Sequence, residues 1–133
     1  MQPRANYFGL SMVGAIGGGE YLKMENAGGG VAYSYAIQQA DGSTTGVLIN
    51  QNNPETAAQT KVTLKLPNIP ATGTMTQMKG SSYSAHDGVA IDGAAGAPKA
   101  DSERPAPMNF KPGVQSQTFS FTAGTVTIMN FTY

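Results

Sequence analysis

An all-β domain, a two-sheet antiparallel β-sandwich of jelly-roll or immunoglobulin-like type, is the fold this sequence predicts, and three observations predict it. About eight or nine short apolar stretches recur at spacings of roughly ten residues, each bounded by Gly, Pro, Asn or Asp. No long stretch carries the helical period. The 133 residues make about one domain, large enough to bury roughly two thirds of the unfolded surface without staples.

The elements follow in chain order. Tyr7 to Val13 reads as a short helix or an irregular lead-in, stopped by Gly17-Gly18-Gly19. Glu20 to Asn26 reads as a strand ended by Gly28-Gly29-Gly30. In Val31 to Gln39 the larger side chains Val31, Tyr33, Tyr35 and Ile37 alternate with small or polar ones, the period-2 signature of a half-buried strand. Asp41-Gly42 supplies the backbone freedom of a tight hairpin. Thr45 to Asn50 contains Val47, Leu48 and Ile49 in unbroken succession, as expected of a central strand covered on both faces. The polar loop Gln51 to Glu55 leads to Lys61 to Leu66, where Val62, Leu64 and Leu66 point one way before Pro67 and Pro70 end the ladder. These three strands are expected to form an antiparallel meander.

Thr74 to Lys79 reads as a further strand. Gly80 to Pro107, rich in Gly, Ala, Ser and Pro, reads as a long surface excursion with a short strand at Val89 to Ile91. Gln115 to Phe121, with Gln117, Phe119 and Phe121 on one face, and Thr125 to Tyr133 are expected to form a closing hairpin about Ala123-Gly124.

Composition excludes several function classes. Eight basic and eight acidic residues cancel, and charged side chains make up only 12% of the chain, so the electrostatic footprint of a nucleic-acid or anionic-membrane binder is missing. No apolar run approaches the ~20 residues that span a bilayer. Cysteine is absent, which removes disulfides and thiolate metal sites and leaves the redox compartment undecided. Met1 to Asn6 lacks the basic-then-apolar pattern of a secretory signal, so either the protein stays inside the cell or the chain is a module excised from a larger extracellular protein, and the second reading is carried forward.

Catalytic constellations are equally sparse. Among the acids, Asp41, Asp87 and Asp92 each precede glycine and read as turn formers. Glycoside hydrolysis needs two carboxyl groups roughly 5 to 10 Å apart around one bond, one of them in an apolar setting, and solvated turn acids do not supply that. His86 is the only histidine. Adjacency to Ser81, Ser82, Ser84 and Asp87 in a loop does not make a triad. No cofactor is expected; calcium is the one ion the residue types admit, through oxygen ligands from Asp87, Asp92, Asp101 or Glu103, without EF-hand spacing.

What remains is recognition of a neutral polymer. Sugar rings lay their apolar faces on aromatic side chains while amides and backbone groups bond the hydroxyls. The aromatics to consider are Tyr21, Tyr33, Tyr35, Tyr83, Phe110 and Tyr133; tryptophan is absent. Tyr33 and Tyr35 share a face with Val31 and Ile37 and are expected in the core, as are Phe119 and Phe121. The candidate ligand-binding residues are therefore Tyr83 in a Ser-rich loop, Phe110 between Asn109 and Lys111, Tyr21 on an expected edge strand, and Asn52. Asn50, Gln51, Asn52 and Asn53 serve either to read hydroxyls or to close the turn.

The ordered set Tyr7-Phe8-Gly9-Leu10, Val31-Ala32-Tyr33-Ser34-Tyr35-Ala36-Ile37, Asp41-Gly42, Val47-Leu48-Ile49-Asn50, Val62-Thr63-Leu64-Lys65-Leu66 and a closing Phe119 to Phe131 segment resembles the C-terminal β-sandwich of clan-A glycoside hydrolases. It is most similar to the family 79 type, with family 39 and 51 tails as looser relatives. The resemblance implies a domain that packs beside a hydrolytic (β/α)8 barrel, with residues 1–19 as the lead-in from the parent enzyme and 20–133 as a single module. The acid and nucleophile of such enzymes belong to the barrel, so this chain is expected not to be an enzyme. Two readings follow. One is a carbohydrate-binding module that holds a neutral plant-wall polysaccharide such as a β-glucan near the parent catalytic domain. The other is a structural accessory sandwich that buttresses the barrel and binds no ligand. An exposed line of aromatics favours the first, and a large apolar patch on one face favours the second.

Overall fold

The computed structural model describes residues 10, 14, 16–23, 32–53, 59–80, 90–91, 94–95, 106–107 and 113–133. Leu10, Gly14 and Ile16 have helical backbone; the rest of the expected Tyr7 to Val13 lead-in lies outside the described residues. Ten strands follow: β1 (Gly19–Leu22), β2 (Ala32–Gln39), β3 (Thr44–Asn50), β4 (Thr60–Lys65), β5 (Thr72–Lys79), β6 (Ala90–Ile91), β7 (Ala94–Ala95), β8 (Ala106–Pro107), β9 (Ser116–Phe121) and β10 (Thr125–Thr132). All pairings are antiparallel. The fold is the expected all-β sandwich. A large sheet runs β1-β2-β3-β10-β5-β6-β7, with β8 also on β5, and β4 and β9 form a two-stranded second sheet.

Two expected pairings are overturned. Strand β4 does not continue a meander from β3; it pairs with β9 in the smaller sheet, in the register Val62↔Phe119 and Leu64↔Gln117. Strands β9 and β10 are not a hairpin either. β9 belongs to the small sheet, whereas β10 lies at the centre of the large one between β3 and β5. The link through Thr122, Ala123 and Gly124 is thus an arch between sheets, held by a Thr125 hydroxyl donating to the Thr122 carbonyl at 2.6 Å and by Gly124 at a φ of 66°. Side-chain patterning explains the exchange. β4 and β9 have one apolar face and an exposed one of Lys61, Thr63, Lys65, Ser116, Thr118 and Ser120, which suits a sheet with one side in water. β10 carries apolar side chains on both faces, Met129 and Phe131 inward and Val126 and Ile128 outward, and takes a central position.

The β2–β3 hairpin is as expected. Gly42 sits at a φ of 85°, the Gln39 amide donates to Ser43 O at 2.9 Å and the Gly42 amide to Gln39 O at 3.0 Å. Asp41 accepts from the Ser43 amide at 2.9 Å and its hydroxyl at 2.6 Å, and these bonds hold its carboxyl below the ordinary value of 3.8. β1 is shorter than the Glu20 to Asn26 expectation: strand geometry ends at Leu22, and 24–26 lie outside the described residues.

Apolar clusters form on both faces of the large sheet. Between the sheets, Leu48, Phe121, Met129 and Phe131 are buried and Val62, Leu64, Leu66, Met75 and Phe119 pack against them. Phe121 is buried in the core as expected, and Phe119 packs half-buried against that core, their rings tilted at 49° with centroids 6.4 Å apart. Each fully buried phenylalanine contributes about 2 to 3 kcal/mol. On the outer face, Val47 and Ile128 form a second cluster with Ile16, Ile49, Met78 and Val126. The unbroken Val47-Leu48-Ile49 run is thereby explained: β3 is central and is covered on both sides.

Candidate functional site

Register places the tyrosines. Across the large sheet Tyr33 stands opposite Ile49, Tyr35 opposite Val47 and Tyr21 opposite Ile37. Ile49 and Val47 belong to the outer cluster, and alternation along β2 puts Tyr33, Tyr35 and Ile37 on that same side. All three tyrosines therefore share the outer face, away from β4 and β9. Ser34, Ala36 and Gln38 take the side facing the small sheet.

This corrects the sequence expectation for two residues. Tyr33 and Tyr35 were expected in the core with Ile37, yet they are 53% and 48% exposed, and Tyr21 is 78% exposed, while Ile37 keeps 6%. The period was right; the covering was not. Ile16 packs on the Val47–Ile128 cluster in the middle of the outer face, and the β1–β2 side stays open. One signal for this was present. The strands that fill the inter-sheet core carry Phe119, Phe121 and Phe131, whereas the large aromatics of β2 are both tyrosines, which carry a polar tip suited to a wet boundary.

The row is well defined in geometry. Successive same-face residues on β2 are about 7 Å apart, and the diagonal from Tyr35 to Tyr21 across to β1 is about 7 to 8 Å. Tyr33, Tyr35 and Tyr21 therefore mark an oblique line about 14 Å long. Among the described residues no hydrogen bond engages their phenols. Tyr133 differs: its hydroxyl donates to Thr44 Oγ1 at 2.7 Å and ties down the last strand.

Next to the row, a polar network anchors the entering chain. Gln39 Nε2 donates to Ile16 O and to Thr45 Oγ1, both at 2.9 Å, and Thr45 donates to Asn130 Oδ1 at 2.7 Å. Thr45 is 1% exposed, so these bonds satisfy groups that would otherwise be orphaned in an apolar layer.

Of the other expected site residues, Asn52 is described and sits in an internal clasp. Its amide N–H donates to Asn50 Oδ1 at 3.1 Å and its Nδ2 to Thr60 Oγ1 at 3.0 Å. Asn50, buried, donates from Nδ2 to Thr60 Oγ1 at 3.1 Å and to Phe121 O at 3.3 Å. The loop amides thus join the large sheet to the small one. Tyr83, Phe110, His86, Asp87, Asp92, Asp101 and Glu103 lie outside the described residues. Among the described residues no three His, Cys, Asp or Glu gather as a metal cluster. An apolar crevice between Leu64, Leu66, Pro70, Val114, Phe119 and Phe131 has a volume of about 10 Å³, room for one water and not for a sugar ring.

No protein-family model and no curated protein matches the chain. Among solved structures it is similar to the GH51 α-L-arabinofuranosidase from Thermotoga petrophila RKU-1, with a TM-score of 0.55 and 13% identity over 80% of this chain and 20% of that one. It is also similar to the GH51 arabinofuranosidase from Xanthomonas axonopodis pv. citri, with a TM-score of 0.50 and 12% identity over 84% of this chain and 21% of that one. The chain spans about a fifth of either enzyme. At these identities the likeness is one of fold. The structural neighbours are glycoside hydrolases, and the sandwich corresponds to a small part of each.

Proposed function

We propose that this chain is a non-catalytic accessory sandwich of a glycoside hydrolase, of the C-terminal family 79-like kind, and that it holds a neutral plant-wall polysaccharide on the outer face of its large sheet. The observation that carries the reading is the exposed row of Tyr21, Tyr33 and Tyr35, whose phenols make no hydrogen bond among the described residues. Three aromatic surfaces on one sheet face form an apolar platform for ring faces, and the hydroxyl tips and nearby amides supply polar contacts. With few charges on the chain, association rests on neutral contacts and is insensitive to salt. The module raises the effective concentration of substrate at a tethered catalytic domain. A polymeric ligand of this kind accords with a place outside the cell as part of a larger secreted enzyme, and no cofactor, nucleic acid or membrane partner is proposed. Tyr83, Phe110 and Asn52 remain proposed contributors.

Affinity electrophoresis of the chain against soluble β-glucan, xyloglucan, xylan and mannan, with and without chelator, tests this. Retardation by a β-glucan that persists in chelator is expected. Retardation by none of the four would overturn the binding reading.

A specific observation favours the buttress reading as the second choice. Ile16 packs on the same outer face beside the tyrosines and is pinned there by Gln39. A domain preceding this one is thereby led toward that face, and its surface could cover the tyrosine row instead of a sugar. Loss of gel retardation on joining the chain to its parent barrel would favour burial of the row at that junction.

A further inference from the structure

Resting on the binding reading above, we infer that the ligand is an extended chain of β-1,4-linked pyranoses with flat, equatorially substituted rings, held along the Tyr33–Tyr35–Tyr21 line by about three consecutive rings. Three features of the outer face lead there. The first is length. A path of about 14 Å matches roughly three linked pyranoses laid end to end, so neither a single sugar nor a terminal residue occupies the whole row. The second is flatness. All three tyrosines project from one face of two paired strands, and a stretched chain can lie on such a surface, whereas a helically coiled α-linked chain touches it at isolated points.

The third is that the described residues form no polar pocket at the row. Thr45, buried on this face beside the row, is already satisfied by Gln39 and Asn130. Discrimination by hydroxyl pattern requires polar groups that a wrong substrate would leave unpaired. Here selection falls on ring faces instead. An axial hydroxyl lifts the ring from the aromatic plane and weakens stacking, so flat gluco-configured chains are preferred over manno-configured ones.

The row also has internal order. Tyr33 and Tyr35 each stand opposite a cross-strand aliphatic partner, Ile49 and Val47, and keep about half of their surface open. They are the rigid part of the platform. Tyr21, on the four-residue edge strand β1, is the most open of the three and extends the row by one ring.

Titration calorimetry of the whole 133-residue chain with β-1,4-gluco-oligosaccharides of one to six rings reads this directly. Affinity is expected to rise about ten-fold per ring to three rings and then level off. Tyr21→Ala should move the plateau to two rings. Tyr35→Ala, which breaks the middle of the row, should cost ten-fold or more at every length above one. Tyr35→Phe, which keeps the ring, should stay within about three-fold of the original, and circular dichroism of each variant reports its folding. A plateau at a single ring would overturn the extended-chain inference while leaving the binding reading in place. So would unchanged affinity in a folded Tyr21→Ala, Tyr33→Ala, Tyr35→Ala triple variant. Failure of every oligosaccharide, together with failure of all four polysaccharides in the gel, would take away the binding reading itself.

Discussion

Gly19 opens β1, and the space around it makes the substitution Gly19→Ala a sharp test of how the tyrosine row is held. An added Cβ would press on the backbone carbonyl oxygen of Gln38 and lie 2.7 Å from Ile37 Cγ2 and 3.1 Å from the Gln38 carbonyl carbon. The isoleucine can turn aside, but the backbone of β2 is fixed by its pairing with β3 from Ala32 through Gln38. Inserting a methyl where backbone cannot yield costs about 1 to 3 kcal/mol. Strand β1 has little to set against that. Its pairing with β2 spans four residues, each hydrogen bond is worth a net of about 0.5 to 1.5 kcal/mol, and ordering each residue costs about 1 to 2 kcal/mol.

The strain should therefore be relieved by release of β1 and not by unfolding of the sandwich. Amide exchange should show residues 19–22 losing their protection, while the urea midpoint reports a global loss below about 1 kcal/mol. Trisaccharide affinity should fall to that of Tyr21→Ala. Gly18→Ala is the control, since nothing lies within 4 Å of a Cβ there, and it should change neither quantity. Full protection at 19–22 in Gly19→Ala would refute the steric argument. A global loss of several kcal/mol would refute the view that β1 is a detachable edge.

Other perturbations address the sandwich itself. Phe131 is 2% exposed between Thr44 and Gly73 of the neighbouring strands, and Phe131→Ala should cost about 3 to 5 kcal/mol in urea unfolding. Asn50→Ala removes the clasp to Thr60 and Phe121 and should cost about 2 to 4 kcal/mol, with Thr60→Ala smaller because only its hydroxyl is lost. Asp41 has its folded-state carboxyl lowered by the Ser43 hydroxyl and amide. Its contribution is accordingly present above the ordinary value of 3.8 and lost as pH falls through the lower folded value. Asp41→Asn should remove that acid-side slope from a pH series of thermal melts and leave the neutral side nearly unchanged.

Strand positions were legible because they are written in local chemistry. The alternation in β2, the Asp41-Gly42 turn, the one-faced pattern of β4 and β9 and the doubly apolar Val47-Leu48-Ile49 run each specify an element and the number of its covered faces. Partner choice is different. Nothing in Ala123-Gly124 distinguishes a hairpin from an arch, because both need a tight turn and a left-handed glycine; the decision lies in which strands, far apart along the chain, leave the least apolar surface in water. The pairing of β4 with β9, and the seating of β10 between β3 and β5, follow from that non-local sum.

The candidate site divides along the same line. Tyr21 was recognisable as an edge residue from its flanking Glu20 and Lys23. For Tyr33 and Tyr35 the sequence by itself determined that they share one face with Ile37, and it could go no further, since alternation assigns side chains to two faces without saying which is covered. Tertiary structure alone decided that Ile16 packs over the Val47–Ile128 part of that face and leaves the β1–β2 part open. The physical reason is that burial is a property of what packs above a residue, and for this sheet the covering groups come from segments distant along the chain.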